Sequence, residues 1–104
     1  MVVTLCYITV PSRAQAERIG RMLVQERLAA CVNIIDGMRS IYHWEGALHE
    51  DDEVILLAKT CTDRVTELTS LVVREHPASC PCVLTIPVSG GHADFLTWVA
   101  YQTH

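Results

Sequence analysis

Apolar residues recur at two different spacings along this chain, and the order in which the spacings alternate is the strongest constraint on its fold. A spacing of two predicts a first strand over residues 2–10. Because apolar side chains occupy both faces of this strand, we expect it to be central in a sheet that is covered on both sides. Pro11 ends the strand, and Ser12 can cap a first helix over residues 13–27. The apolar face of this helix is predicted to comprise Ala16, Ile19, Gly20 and Leu23.

The next segment, residues 31–60, reads as a long β-hairpin. It is interrupted at Asp36-Gly37 and carries a turn signal at Glu45-Gly46. Its arms are longer than a small sheet needs, and their apolar positions continue toward the tip. Such an arm promotes aggregation unless another chain covers it. We therefore expect neighbouring subunits to cover the hairpin in a closed cyclic oligomer.

The last part of the chain predicts a helix, a strand and a further helix. Thr62 or Asp63 can cap the second helix, which should end near His76 because a proline follows. A strand is expected over residues 82–88 and a third helix over residues 93–102. The order β-α-β-β-α-β-α predicts one α+β domain over residues 1–104, a ferredoxin-like split βαβ sandwich with an added C-terminal helix.

Composition and missing motifs exclude several classes of function. Eight Lys and Arg against twelve Asp and Glu give a net charge of −4 without a basic run, so nucleic-acid binding is not expected. Charged residues interrupt the apolar stretches too often for a membrane span. The first residues are unlike a signal peptide, and five irregularly spaced cysteines are expected to remain thiols in the cytoplasm. No Ser/His/Asp set, phosphate-binding loop or Cys-x-x-Cys motif is visible, so we expect no enzyme activity.

Two sequence blocks carry a family resemblance. Residues 26–33, ERLAACVN, resemble the signature of CutA-type divalent-cation tolerance proteins, and residues 40–46, SIYHWEG, follow at the expected distance. The resemblance continues through His76-Pro77 to residues 95–98, FLTW, and covers nearly the whole chain. It implies a cytoplasmic homotrimer whose hairpins pair across subunits, with a role in tolerance of divalent metals, copper especially. It also implies a likeness to the PII class of signalling trimers, which bind small ligands between subunits.

The chain departs from the family pattern just after the His76-Pro77 pair. The family usually has Tyr after this pair, where the chain has Ala78. The Pro-Glu pair that opens the family's last strand is here Pro81-Cys82. Any role that depends on that carboxylate is therefore in doubt.

His76, Cys80 and Cys82 are candidate metal ligands. Thiolates and imidazole suit copper and zinc. Two cysteines two positions apart in a regular strand would share a face, with their Cα atoms about 6.6 Å apart. His76 also matches a family position implicated in copper binding in some members. The alternative is structural, with two small residues at a strand entrance and a histidine at a helix end.

Cys31, Tyr42, Trp44 and Lys59 match the family and are candidates to line an inter-subunit ligand cleft. Lys59 lies in an otherwise apolar strand and needs solvent or an anionic partner. Alternatively, Cys31 is a core residue and Trp44 packs against the next subunit. The other histidines are expected to be solvated, although they could bind metal adventitiously; they are His43, His49, His92 and His104.

Three hypotheses follow from these residues. The first is a trimeric metal-tolerance protein that binds copper or another divalent ion weakly at inter-subunit clefts. The second is a PII-like sensor that binds a small anion near Lys59. The third is a structural trimer that presents a surface to a partner.

Overall fold

The computed structural model describes residues 2–104 and contains a four-stranded antiparallel sheet in the order β2-β3-β1-β4. Its elements are β1 (Val3–Val10), α1 (Arg13–Gln25), β2 (Cys31–Trp44), β3 (Ala47–Cys61), a 3₁₀ turn (Thr62–Arg64), α2 (Val65–Glu75), β4 (Val83–Pro87) and α3 (Ala93–Gln102). This is the predicted split βαβ arrangement, in which β3 separates β1 from β2. The central position of β1 is confirmed. None of the helices in the described residues is both long and apolar enough to cross a bilayer.

Helix α1 forms where the sequence predicts it. The Ser12 hydroxyl accepts a hydrogen bond from the backbone N–H of Gln15 at 3.2 Å, which confirms the cap. The buried residues of α1 are the four predicted apolar positions. The helix ends at Gln25 rather than at residue 27, because Arg27 adopts a positive φ of 59°. The chain then turns back toward the sheet.

The start of α2 differs from the prediction. Thr62 and Asp63 lie in a 3₁₀ turn, and α2 begins at Val65 without a side-chain cap. The Thr62 hydroxyl instead hydrogen bonds with the Val2 carbonyl and the Thr4 hydroxyl, at 3.1 and 2.8 Å. The Asp63 carboxylate contacts His104. The capping prediction was wrong because tertiary partners take both side chains.

Helices α1 and α2 pack on one face of the sheet, which we call the inner face. Alternate residues of β1 and β3 meet them there in one fully buried cluster, which includes Ile8, Leu56 and Leu68. A side chain at Gly20 would place its Cβ 3.0 Å from Val32 Cγ2, so α1 lies close to β2. Burial of each large side chain in this cluster stabilises the fold by about 1.5–3 kcal/mol.

The opposite, outer face of the sheet is apolar but only partly covered. Helix α3 covers one end of it, where Val99 packs with Val3 and Cys61. Away from α3, several large apolar side chains remain 46–57% exposed; these are Ile35, Leu84 and Ile86. The outer face therefore lacks cover within this chain.

The hairpin of β2 and β3 extends the molecule to 45 Å along its longest axis. The interruption at Asp36-Gly37 is a β-bulge, where the register shifts between Ile35 and Met38 and Gly37 has a φ of 80°. Glu45 and Gly46 both have positive φ, as in a tight hairpin turn. The predicted interruption and turn are both confirmed.

Replacement of Leu56, which is fully buried, tests the inner-face core. We expect Leu56→Ala to lower the free energy of unfolding by about 2–5 kcal/mol because the core cannot fill the cavity that remains. Urea unfolding at fixed protein concentration measures the change. The control Val73→Ala, at an exposed position of α2, should alter stability by no more than about 0.5 kcal/mol. Equal losses in the two variants would contradict this assignment of the core.

Candidate functional site

A cavity of about 390 Å³ opens between the hairpin and the segment that connects α2 to β4. We call it the His76 pocket. The aromatic, imidazole, thiol and carboxylate side chains that line it are those of Tyr42, Trp44, Glu53, His76, Cys80 and Cys82. The three candidate metal ligands therefore line one cavity. They share it with Tyr42 and Trp44, which the sequence assigned to a separate cleft.

His76 is held by two backbone groups. Its Nε2 lies 2.7 Å from the Thr9 carbonyl oxygen, and its Nδ1 accepts a hydrogen bond from the Ala78 N–H at 3.0 Å. Because a carbonyl only accepts and an amide N–H only donates, the ring is neutral with its hydrogen on Nε2. Both ring nitrogens are engaged, so His76 has no free lone pair for a metal in this conformation. It ties the segment after α2 to the end of β1.

Cys80 and Cys82 offer the softest ligands of the pocket. Cys80 is exposed and Cys82 is half-buried, and both are free thiols. They precede β4, which begins at Val83, so the expected strand geometry does not apply to them. The Glu53 carboxylate lines the same cavity. Thiols and a carboxylate are donor types that suit copper or zinc, but the donor atoms of this pocket do not all lie within 4.8 Å of one another. An ion would have to draw them together, and His76 would first have to release its backbone partners.

The two aromatic residues of the pocket come from the hairpin. The Tyr42 hydroxyl donates a hydrogen bond to the Asp51 carboxylate, and this bond raises the pKa of Tyr42 above its ordinary value. The Tyr42 ring stacks on His49 with a centroid distance of 5.5 Å. Trp44 is 42% exposed at the pocket. The hairpin thus supplies an aromatic wall that another subunit or a ligand can contact.

Cys31 and Lys59 lie outside the pocket and face each other across the β2–β3 ladder. Lys59 Nζ donates a hydrogen bond to Asn33 Oδ1 at 2.6 Å and lies 5.7 Å from the centroid of the Phe95 ring. Within residues 2–104, no carboxylate lies within 4.0 Å of this ammonium group. Cys31 is half-buried and belongs to neither buried cluster.

The structure also brings together a set of side chains that the sequence analysis missed. Cys61, Asp63 and His104 place their donor atoms within 4.8 Å of one another. The hydrogen bond between Asp63 and His104 lowers the pKa of Asp63 and raises the pKa of His104. These two residues are 41 positions apart, and no local motif predicts their contact. By contrast, burial alone raises the pKa of the Cys6 thiol to about 11, and this cysteine is a core residue.

Comparison with known proteins places these features in context. A family model described as CutA1 divalent ion tolerance protein matches residues 4–102. A divalent-cation tolerance protein CutA from Thermus thermophilus is 44% identical over 96 residues, which cover 92% of this chain and 93% of the relative.

Solved structures show the same similarity. A divalent cation tolerance protein from Thermus thermophilus has a TM-score of 0.95 at 41% identity, with 98% of this chain and 99% of that chain covered. CutA1 from Oryza sativa has a TM-score of 0.97 at 35% identity, with 100% and 95% covered. Sequence and fold are therefore similar along nearly the whole chain.

Proposed function

Because the chain belongs to the CutA1 divalent ion tolerance family, we propose that it is a homotrimeric metal-tolerance protein that binds copper or another divalent ion weakly in the His76 pocket. It acts by binding, without a catalytic step. The observation that carries this proposal is the presence of Cys80, Cys82 and Glu53 in one cavity. Five free thiols within residues 2–104 favour a reducing compartment, and we assign the protein to the cytoplasm.

The hydrogen bonds of His76 support weak rather than tight binding. The ring can join the thiols at a metal only if it gives up its bonds to Thr9 and Ala78. Each such bond contributes a net stability of about 0.5–1.5 kcal/mol, which is subtracted from the affinity for the ion. A pocket of this kind responds to raised metal concentrations and releases the ion when they fall.

The exposed outer face supports the trimer. Leu84 and Ile86 of β4 are exposed, as are Ile35, Ile41 and Leu48 of the hairpin, and contiguous exposed apolar surface often marks an association interface. Copies of the same chain can cover this surface in a closed ring, which leaves no unsatisfied interface. The His76 pocket is lined in part by the hairpin, so a neighbouring subunit that contacts the hairpin also borders the pocket.

Substitution of Leu84 tests the trimer. The wild-type protein should scatter light as three chains of 11.6 kDa each. Leu84→Glu should shift the protein toward smaller species because it places a charge in the apolar interface. The matched control Val73→Glu, at a residue of α2 with similar exposure, should remain trimeric. A wild-type mass of one chain would refute the proposal.

Copper titration tests the pocket. We expect isothermal titration under anaerobic conditions to give one event per chain, with affinity reduced by about tenfold or more in Cys82→Ser and weakened in His76→Ala. The control Cys31→Ser removes a half-buried thiol outside the pocket and should bind as the wild type does. Identical affinities for Cys82→Ser and the wild type would exclude the pocket thiols as ligands.

The surroundings of Lys59 favour a second candidate function, the binding of a small anion. Lys59 is the only lysine of the sequence. Its ammonium group has an amide oxygen and an aromatic ring as neighbours, and both leave its charge unneutralised. A carboxylate or phosphate group of a metabolite would complete this environment. This arrangement corresponds to the PII-like hypothesis.

A thermal-shift screen of phosphorylated and carboxylated metabolites tests this second candidate. A ligand that binds only the folded state raises the melting temperature, by an amount that corresponds to about 2.7 kcal/mol at one hundred times its Kd. Lys59→Met should abolish the shift. Arg39→Met, which removes a hairpin cation already paired with Asp52 at 3.1 Å, should preserve it. A shift that persists in Lys59→Met would rule out this site.

A further inference from the structure

Cys61, Asp63 and His104 are the one set of three His, Cys, Asp or Glu donors within residues 2–104 whose ligand atoms all lie within 4.8 Å of one another. None of the three lines the His76 pocket. Cys61 pairs with Val3 at one end of β1, whereas His76 contacts Thr9 near the other end. Six residue steps along the strand, from Val3 to Thr9, separate these two ends by about 20 Å. The cluster is therefore a separate site.

The fold holds the three donors in place from different elements. Cys61 is the last residue of β3 and is 1% exposed, with its side chain packed beneath α3. Asp63 lies in the 3₁₀ turn that follows, and the Thr62 N–H anchors this turn to the Val2 carbonyl at 2.9 Å. The thiol thus approaches from the protein interior, while the exposed carboxylate approaches from the surface.

The segment that follows α3 supplies the histidine. The Thr103 hydroxyl donates to the Val99 carbonyl at 2.9 Å, and Arg64 Nε donates to the Thr103 carbonyl at 2.6 Å. These two bonds fix the last turn of α3 above the end of β3. His104 therefore reaches Asp63 from a constrained backbone rather than from a loose tail.

The orientation of the His104 ring matches that of a metal ligand. Its Nδ1 lies 2.9 Å from the Ala100 carbonyl oxygen, which can only accept, so Nδ1 carries a hydrogen. Its Nε2 donates a hydrogen bond to Asp63 Oδ2 at 2.7 Å, and an ion would take the place of this hydrogen between the two atoms. Metal-binding histidines usually donate one ring N–H to a carbonyl or carboxylate in this way, which leaves the other nitrogen for the ion.

We propose that Cys61, Asp63 and His104 form a divalent-cation site, with zinc as the best-matched ion. One thiolate, one imidazole and one carboxylate are the three donor types that zinc accepts, at bond lengths of about 2.0–2.3 Å. Tetrahedral bonds of that length place donor atoms about 3.3–3.8 Å apart, so the three donors need to shift by only about an ångström. Water completes the coordination from the exposed side. The thiol and the ring each release a proton to solvent when the ion binds.

A zinc ion at this position would link the end of β3 to the end of α3. Helix α3 covers only one end of the outer face, and its buried contacts in the described residues centre on Val99. A bound ion adds a cross-link between two elements that otherwise meet through few side chains. The site would therefore stabilise α3, whereas the His76 pocket would bind its ion for tolerance.

Titration of the protein, residues 1–104, with Zn²⁺ and with Co²⁺ tests this proposal. We expect one zinc per chain, and a cobalt form with thiolate charge-transfer absorption. Asp63→Asn and His104→Gln should each weaken binding by about tenfold or more. Cys61→Ser should remove the cobalt–thiolate absorption. Because Cys61 is buried and its variant can fold poorly, the two exposed variants carry the test independently.

Two matched controls separate this site from other donors. Cys31→Ser removes a half-buried thiol outside both sites, and His92→Gln removes an exposed histidine before α3; both should bind zinc as the wild type does. The proposal is overturned if the wild type binds no stoichiometric zinc, if Asp63→Asn and His104→Gln bind normally, or if binding is lost only in Cys82→Ser. It stands independently of the copper proposal because the two sites share no residue.

Discussion

The pairing of β1 with β3 is the interaction on which the rest of the structure depends. Its register places Ile8 opposite Leu56 on the inner face, where α1 and α2 bury both side chains. A shift by one residue would turn these side chains to the opposite face, so the core itself fixes the register. The same register sets the two ends of β1, with Cys61 opposite Val3 and the His76 ring against Thr9. The β1–β3 ladder therefore helps to position both candidate sites, one at each end of β1.

The two faces of the sheet have different relations to solvent. The inner face is closed by helices of the same chain, whereas the outer face keeps large apolar side chains in contact with water. Contact between apolar side chains and water is unfavourable, and burial of apolar surface stabilises a protein by about 25 cal/mol per Å². The proposed trimer accounts for an apolar outer face that α3 covers only at one end. It also explains why a strand with apolar residues on both faces lies at the centre of the sheet.

Histidines at different positions occupy different chemical environments, and so do the cysteines. His76 is neutral and bonded to two backbone groups, so it serves first as a structural link. His104 presents Nε2 to a carboxylate and has its other nitrogen fixed by a carbonyl. Cys6 is sealed in the core, whereas Cys80 is exposed at a pocket. Residue type alone does not separate a ligand from a core residue; the neighbours that the fold supplies do.

The sequence by itself determined the family, the element order, the inner face of α1, the bounds of α3 and the bulge and turn of the hairpin. These features depend on local periodicity, on residues such as Gly37 that tolerate positive φ, and on motifs within a few positions of each other. The sequence also predicted that His76, Cys80 and Cys82 lie near one another, because they are close together in the chain.

Only the tertiary structure decided the partners of residues far apart in the chain. Thr62 failed as a cap because β1 takes its hydroxyl, and Tyr42 and Trp44 joined the His76 pocket because the hairpin folds beside the segment after α2. The contact of Asp63 with His104 spans 41 positions and leaves no local pattern. Such contacts arise from the packing of whole elements against a common core, so their geometry is absent from any short stretch of sequence.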